Sequence, residues 1–216
     1  MANVPMLSGS MYDEGQLFVF ELFPSALPKY KYEGMIHGTF GKAADTILAA
    51  YPFDLIEGNE DGREVLNVLA TDLLFYCSLR NVTQGYSSVS TSIPSYIYRF
   101  KHVLSFDAWG PVYTFCVGVV CHGSELPFVY NVFSADGVSY TPTADETALA
   151  VDVSNAWTNF IKTGSPNTGS QSIPLPYPLY VSSSDSLIVL DHPDTFTAKD
   201  VRSSYCDMWD SLGYIY

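Results

Sequence analysis

Two strand candidates and three helix candidates alternate along the chain, and that ratio constrains the fold more than any other feature. Residues 4–7 read as a short strand running into Ser8-Gly9-Ser10 and an acidic turn, Asp13-Glu14-Gly15. Residues 96–100, Tyr-Ile-Tyr-Arg-Phe, alternate aromatics with other side chains at the period of a pleated strand. Between them, residues 64–77 place Val65, Leu66, Leu69, Leu73 and Tyr76 at helical spacing. The clearest helix signal covers residues 145–162. There Thr143 and Glu146 stand in capping-box spacing, Leu149, Val153, Ala156, Trp157 and Phe160 share one face, and Gly164 follows as a helix-ending glycine. A last helix over 198–212 would align Val201, Tyr205, Trp209 and Leu212, while 85–94 and 164–178 read as loops. Strands alternating with helices predict an α/β architecture. Two strands do not make a self-contained sheet, so the sheet has to be completed by something else.

The composition excludes several classes of function. Acidic residues outnumber basic ones 23 to 10, for a formal charge of −13 without a basic cluster, so nothing in the chain can track a phosphate backbone and nucleic acid is not an expected partner. No apolar run reaches the length of a membrane span, and the first residues lack the basic start and apolar stretch of a signal peptide. The chain is therefore expected to be cytosolic or to have its targeting segment upstream. Cys77, Cys116, Cys121 and Cys206 form no CxxC pair, which makes two disulfides the simplest reading. Asn81-Val82-Thr83 is a glycosylation acceptor, and together with the cysteines it points to a secretory route.

A hydrolytic triad needs a nucleophile, a base that takes its proton and a carboxylate that orients the base. Glu14 lies in a turn after the first strand candidate, and His122 lies beyond the second, in the acid-then-histidine order of α/β-hydrolases. Taken singly, a glutamate in such a turn is ordinarily a solvated residue, and a histidine beside Gly123 a loop or core one. His37, His102 and His192 compete on composition, and no two histidines have metal-ligand spacing. No G-x-S-x-G nucleophile elbow and no glycine-rich oxyanion loop occurs.

Four segments, in order, carry a resemblance. Gly9-Ser10-Met11-Tyr12-Asp13-Glu14-Gly15 is similar to a Gly-x-x-x-Asp-Glu-Gly element, and the stretch from Gly118 to Tyr130, with Cys121-His122-Gly123-Ser124-Glu125-Leu126 at its centre, to one around a catalytic histidine. Ala156-Trp157-Thr158-Asn159-Phe160 with Gly164-Ser165-Pro166-Asn167, and then Tyr177-Pro178-Leu179-Tyr180, complete the series. Together they resemble type-B carboxylesterases, the cholinesterase-like family.

The resemblance implies that the chain is the C-terminal portion of an α/β-hydrolase fold, one piece of a single domain whose N-terminal half bears the serine. It implies His122 as general base, Glu14 as its orienting carboxylate, a carboxylic ester as substrate and no cofactor. Glu125 would stand behind the site as a further carboxylate. Leu17 and Phe18 occupy the places of two pocket aromatics in cholinesterases; with Leu17 in place of a ring, cation–π capture of a choline head group is weakened and a general ester fits better. By the same resemblance Cys77 pairs with Cys206, and Cys116 with Cys121 in a short bridge. Two alternatives remain open at this stage: a non-catalytic binding, adhesion or storage protein of the same family, and an inactive gene fragment.

Overall fold

The computed structural model describes residues 4–89, 93–135 and 137–214. A four-stranded sheet in the order β1-β2-β5-β6 forms its centre. β1 (Met6–Met11), β2 (Ser95–Phe100) and β5 (Ser186–Leu190) run parallel, and β6 (Phe196–Lys199) returns antiparallel along β5. Every residue of β2 and β5 is buried, as a parallel sheet covered on both faces requires. The alternation of side chains splits the core in two. Ile97, Leu187 and Val189 face one cluster; Tyr96, Tyr98, Phe100, Ile188 and Leu190 face the other. The sheet is thus completed in part by β5 and β6, which alternation could not reveal: Ser-Leu-Ile-Val-Leu is apolar on both faces and has no period of two.

The first face is covered by α1 (Glu14–Leu22), α2 (Lys29–Phe40), α3 (Ala44–Ala50) and a long helical rod. The rod consists of α4 (Gly62–Ala70), a π-helical turn (Thr71–Tyr76) and α5 (Cys77–Val89). The helix expected over 64–77 is the first half of this rod, which runs on to Val89. The loop expected over 85–94 begins later than supposed, because residues 85–89 continue α5, and 90–92 lie outside the described residues. The chain then passes through β2 to α6 (Leu126–Tyr130), a small hairpin of β3 (Ser134–Ala135) and β4 (Val138–Ser139), and α7 (Ala144–Thr163). Helix α7 covers the opposite face, with both arms of its capping box formed between Thr143 and Glu146 and Gly164 in a left-handed conformation at its end. Residues 164–178 are irregular, held by Asn167, whose side chain bonds both the amide and the carbonyl of Tyr177.

Two sequence expectations are corrected here. The last helix starts not at 198 but at Ser203, as α8 (Ser203–Leu212), because Phe196–Lys199 pairs with β5 before the chain turns. Glu14 is not in a free turn but opens α1: the turn-like Asp-Glu-Gly composition is that of a helix start. Among the described residues no helix is long and apolar enough to cross a membrane.

Cys77 and Cys206 are bridged and join the rod to α8 across 129 residues; Cys116 and Cys121 are bridged across 5. Chain entropy alone assigns the long loop about 5 kcal/mol and the short one about 2 kcal/mol. Replacing Cys77 and Cys206 by serine is therefore expected to lower unfolding stability by more than twice as much as replacing Cys116 and Cys121. Urea titration of both double variants measures this, and equal losses would contradict it.

Candidate active site

β1 and β2 lie in parallel register with Met11 opposite Phe100, so both release their chains at the same end of the sheet. The chain leaving β1 forms Asp13-Glu14-Gly15. The chain leaving β2 returns twenty residues later as Val120-Cys121-His122, and the two segments are tied by a parallel bridge between Asp13 and Cys121. Asp13 makes that tie with backbone and side chain together: its amide donates to the Val120 carbonyl at 3.0 Å, and its Oδ2 accepts from the Val120 amide at 3.1 Å. Its Oδ1 accepts from Asn67 Nδ2 on α4. Gly15 fixes the other side. Its amide donates to Thr71 Oγ1 in the π-turn, and a Cβ there would lie 2.5 Å from the Asn67 carbonyl oxygen, so only glycine lets α1 press against α4.

With both neighbours held, Glu14 and His122 meet although 108 residues separate them. Glu14 Oε2 lies 2.5 Å from His122 Nδ1, and Glu14 Oε1 accepts from the Met11 amide at 2.8 Å. With the carboxylate opposite it, Nδ1 is the donating nitrogen, which leaves the Nε2 lone pair free to accept a proton. The Glu14 side chain is 4% exposed and that of His122 is 47% exposed, so the carboxylate is sheltered while the imidazole is open to solvent. Phe18 and Phe75 stack on one another at 5.7 Å and flank the imidazole at 5.3 and 5.4 Å, restricting its rotation. His122 also lines an open cavity of about 650 Å³, within the range of small-molecule sites. Leu17, Trp109, Leu126, Pro127 and Tyr130 supply much of its apolar wall.

Among the residues singled out in the sequence, Leu17 thus lines the cavity, whereas Phe18 packs on the histidine. Glu125 opens α6, with Oε2 buried and without a hydrogen bond. Burial pushes its carboxyl above the ordinary glutamate range, and the neighbouring Glu14 carboxylate pushes in the same direction. The Cys116–Cys121 bridge immediately precedes His122, and Gln16 Nε2 holds the same loop through the Phe115 carbonyl at 3.0 Å. Asn81 is exposed on α5, where its side-chain amide donates to Asp210 at 2.8 Å. Of the competing histidines, His102 lies between Asp191 and Glu146, and His37 and His192 are paired loosely with Asp45 and Asp145. Among the described residues no cluster of histidine, cysteine and carboxylate side chains fits a metal ion. Sequence reasoning missed Asp13, Thr71 and Phe75. Asp13 stood inside a quoted motif, but its role depends on a strand pairing that no local pattern records, and the π-turn that places the other two has no sequence signature.

The model of the carboxylesterase family matches residues 1–209. The chain is 32% identical over 218 residues to the crystal protein of Dictyostelium discoideum, an alignment covering 98% of this chain and 38% of that protein. It is 31% identical over 210 residues to the cAMP-regulated D2 protein of the same organism, covering 95% and 37%. With the acetylcholinesterase of Bungarus fasciatus it shares 27% over 154 residues, covering 71% and 24%. The chain therefore spans less than two-fifths of the length of these relatives. Family model, extended similarity and the mixed sheet with its helices agree that this chain belongs to the carboxylesterase family, with an α/β-hydrolase type of fold.

Proposed function

We propose that the chain supplies the acid and the histidine of a serine carboxylic ester hydrolase. The nucleophile and the oxyanion donors come from the N-terminal half of the same fold, on the same chain or a second one. The observation that supports this reading most is the 2.5 Å hydrogen bond between Glu14 and His122, with the acid buried and the base facing a cavity. Glu14 holds the imidazole in the tautomer whose Nε2 accepts the serine proton, and it stabilises the imidazolium that forms. The serine oxygen then attacks the ester carbonyl, and Nε2 returns the proton to the departing alcohol. Water repeats the sequence on the acyl-enzyme to release the acid. The cavity wall, apolar apart from a few groups near His122, favours an ester with an uncharged apolar substituent over a cationic one.

Two buried disulfides and the exposed Asn81 support passage through a secretory compartment, with Asn81 as the glycosylated residue. A second reading, a binding or storage protein of the same fold, is favoured by the similarity to the crystal protein, whose name denotes no reaction. A serine in the N-terminal half supports the enzyme, and its replacement supports the storage protein.

Hydrolysis of p-nitrophenyl acetate separates the two. The 216-residue chain alone is expected to be no faster than free imidazole, since each missing oxyanion donor is worth about 10²–10³ in rate. The longer protein is expected to turn over, with His122→Ala lowering kcat by about 10⁶ and Glu14→Gln by about 10⁴. Full activity after His122→Ala would refute the assignment.

Burial at the start of α6 raises the Glu125 carboxyl, so its titration is proposed to leave a trace in the stability of the fold. Its folded-state value is raised above the unfolded 4.5, so the fold favours the protonated acid, and stability falls as pH rises from 4.5 through the raised value. Glu125→Gln, which cannot ionise, is expected to remove that part of the decline and to differ least from wild type in acid below pH 4. Urea unfolding between pH 4 and 8 measures it; superimposable profiles would refute a raised Glu125 carboxyl.

A further inference from the structure

Outside the Glu14–His122 site, the group that makes the greatest demand on its surroundings is Arg99. It stands in the middle of the sheet on β2 and is 4% exposed. Its guanidinium lies over the rings of Tyr12 and Tyr76, at 4.1 and 4.6 Å from their centres. Among the described residues no hydrogen bond or ion pair reaches it, and its Nε is buried without an acceptor. The other three arginines each hold a carboxylate: Arg63 pairs with Asp61, Arg80 with Asp185 and Arg202 with Asp72. Among the four arginines Arg99 alone departs from the rule that a buried charge is paired.

Its neighbours share the deficit. Ser10 is its register partner on β1, and Ser8 lies two residues earlier on the same face. The Oγ atoms of both, and the Tyr76 hydroxyl, are buried with no partner. These are groups able to donate, gathered around a cation. Asp72, a carboxylate whose charge acts on Arg99, is already engaged by Arg202 and by the Tyr51 hydroxyl. Burial consequently pulls the guanidinium below the ordinary arginine value. Ring faces alone give a buried cation modest attraction, and they accept none of its five N–H bonds. What these groups lack is an anionic acceptor, and the planar fork of a guanidinium matches the two oxygens of a carboxylate.

We propose that Arg99, with Ser8, Ser10 and Tyr76, forms a receptor for a carboxylate. Two sources share that chemistry. One is an aspartate or glutamate side chain on a segment that pairs along the outer edge of β1, an edge that no described strand occupies; this source rests on the reading of an N-terminal half given above. The other is a small organic acid from solution, which does not.

The test titrates sodium formate against the 216-residue chain and follows two readouts, the unfolding temperature and the Arg99 Nε–H resonance, with sodium chloride at equal ionic strength as control. Saturable stabilisation of about 3–5 °C at ten times the formate Kd is expected, with a downfield shift of the resonance, and chloride giving less. Arg99→Met is expected to abolish the response and Arg99→Lys, which keeps the charge without the fork, to weaken it. In the longer protein, loss of the formate response identifies a side chain as the natural occupant, whereas persistence identifies a free acid. A wild-type chain no more responsive to formate than to chloride on both readouts, or an Arg99→Met chain that responds like wild type, overturns the proposal. Neither outcome depends on esterase activity, so failure here is distinguishable from failure of the enzymatic reading.

Discussion

The parallel pairing of β1 with β2 is the constraint from which the site follows. Because Met11 lies opposite Phe100, the two chains leave the sheet side by side and in the same direction, and short excursions bring their next segments together. Asp13 then fastens the histidine loop at Val120 with two hydrogen bonds, which fixes the segments on either side of the Glu14–His122 contact. An antiparallel or shifted pairing would send Glu14 and His122 to opposite ends or opposite faces. The topology accounts for the long separation as well: parallel neighbours require a crossover, and here the crossover is the whole set α1 to α5.

That crossover does more than connect. Its π-turn takes four residues out of the regular helical rotation and gives each a separate task. Thr71 receives the Gly15 amide, Asp72 binds Arg202 and Tyr51, Phe75 leans on His122, and Tyr76 lies under Arg99. This one π-helical turn therefore links α1, the start of α8 and the His122 ring. π-Bulges are concentrated at functional sites for this reason: they aim neighbouring side chains in directions a regular helix cannot. Immediately after the turn, Cys77 ties the rod to α8, so the element that aims these residues is also covalently anchored.

Much of this was legible in the sequence where the determinant is local. The capping box of α7, its apolar face and its closing glycine are contiguous signals, and the helix runs Ala144–Thr163, within a residue of expectation at each end. The motifs around Glu14 and His122 were equally visible because they occupy short runs of chain. What stayed hidden depends on partners distant in sequence. β5 is apolar on both faces and shows no alternation; Ala198 and Lys199 take strand geometry only because β5 offers them an edge. α2 contains two glycines and little amphipathic pattern, yet Tyr32 and Ile36 bury it against the rod. Asp13 shows in the sequence only as part of an acidic turn; its role comes from the Val120 backbone, over a hundred residues away, and from Asn67 on α4.

The account rests on a proton shared between His122 Nδ1 and Glu14, and that proton is directly observable. In the 216-residue chain with nitrogen-labelled histidine, proton NMR is predicted to show one protected imidazole N–H resonance far downfield of the amides. It should be assigned to Nδ1 of His122, and it should be lost in Glu14→Ala while His37, His102 and His192 are unaffected. A His122 ring whose N–H exchanges freely with water, or a downfield signal that survives Glu14→Ala, would contradict the pairing on which the proposed chemistry depends.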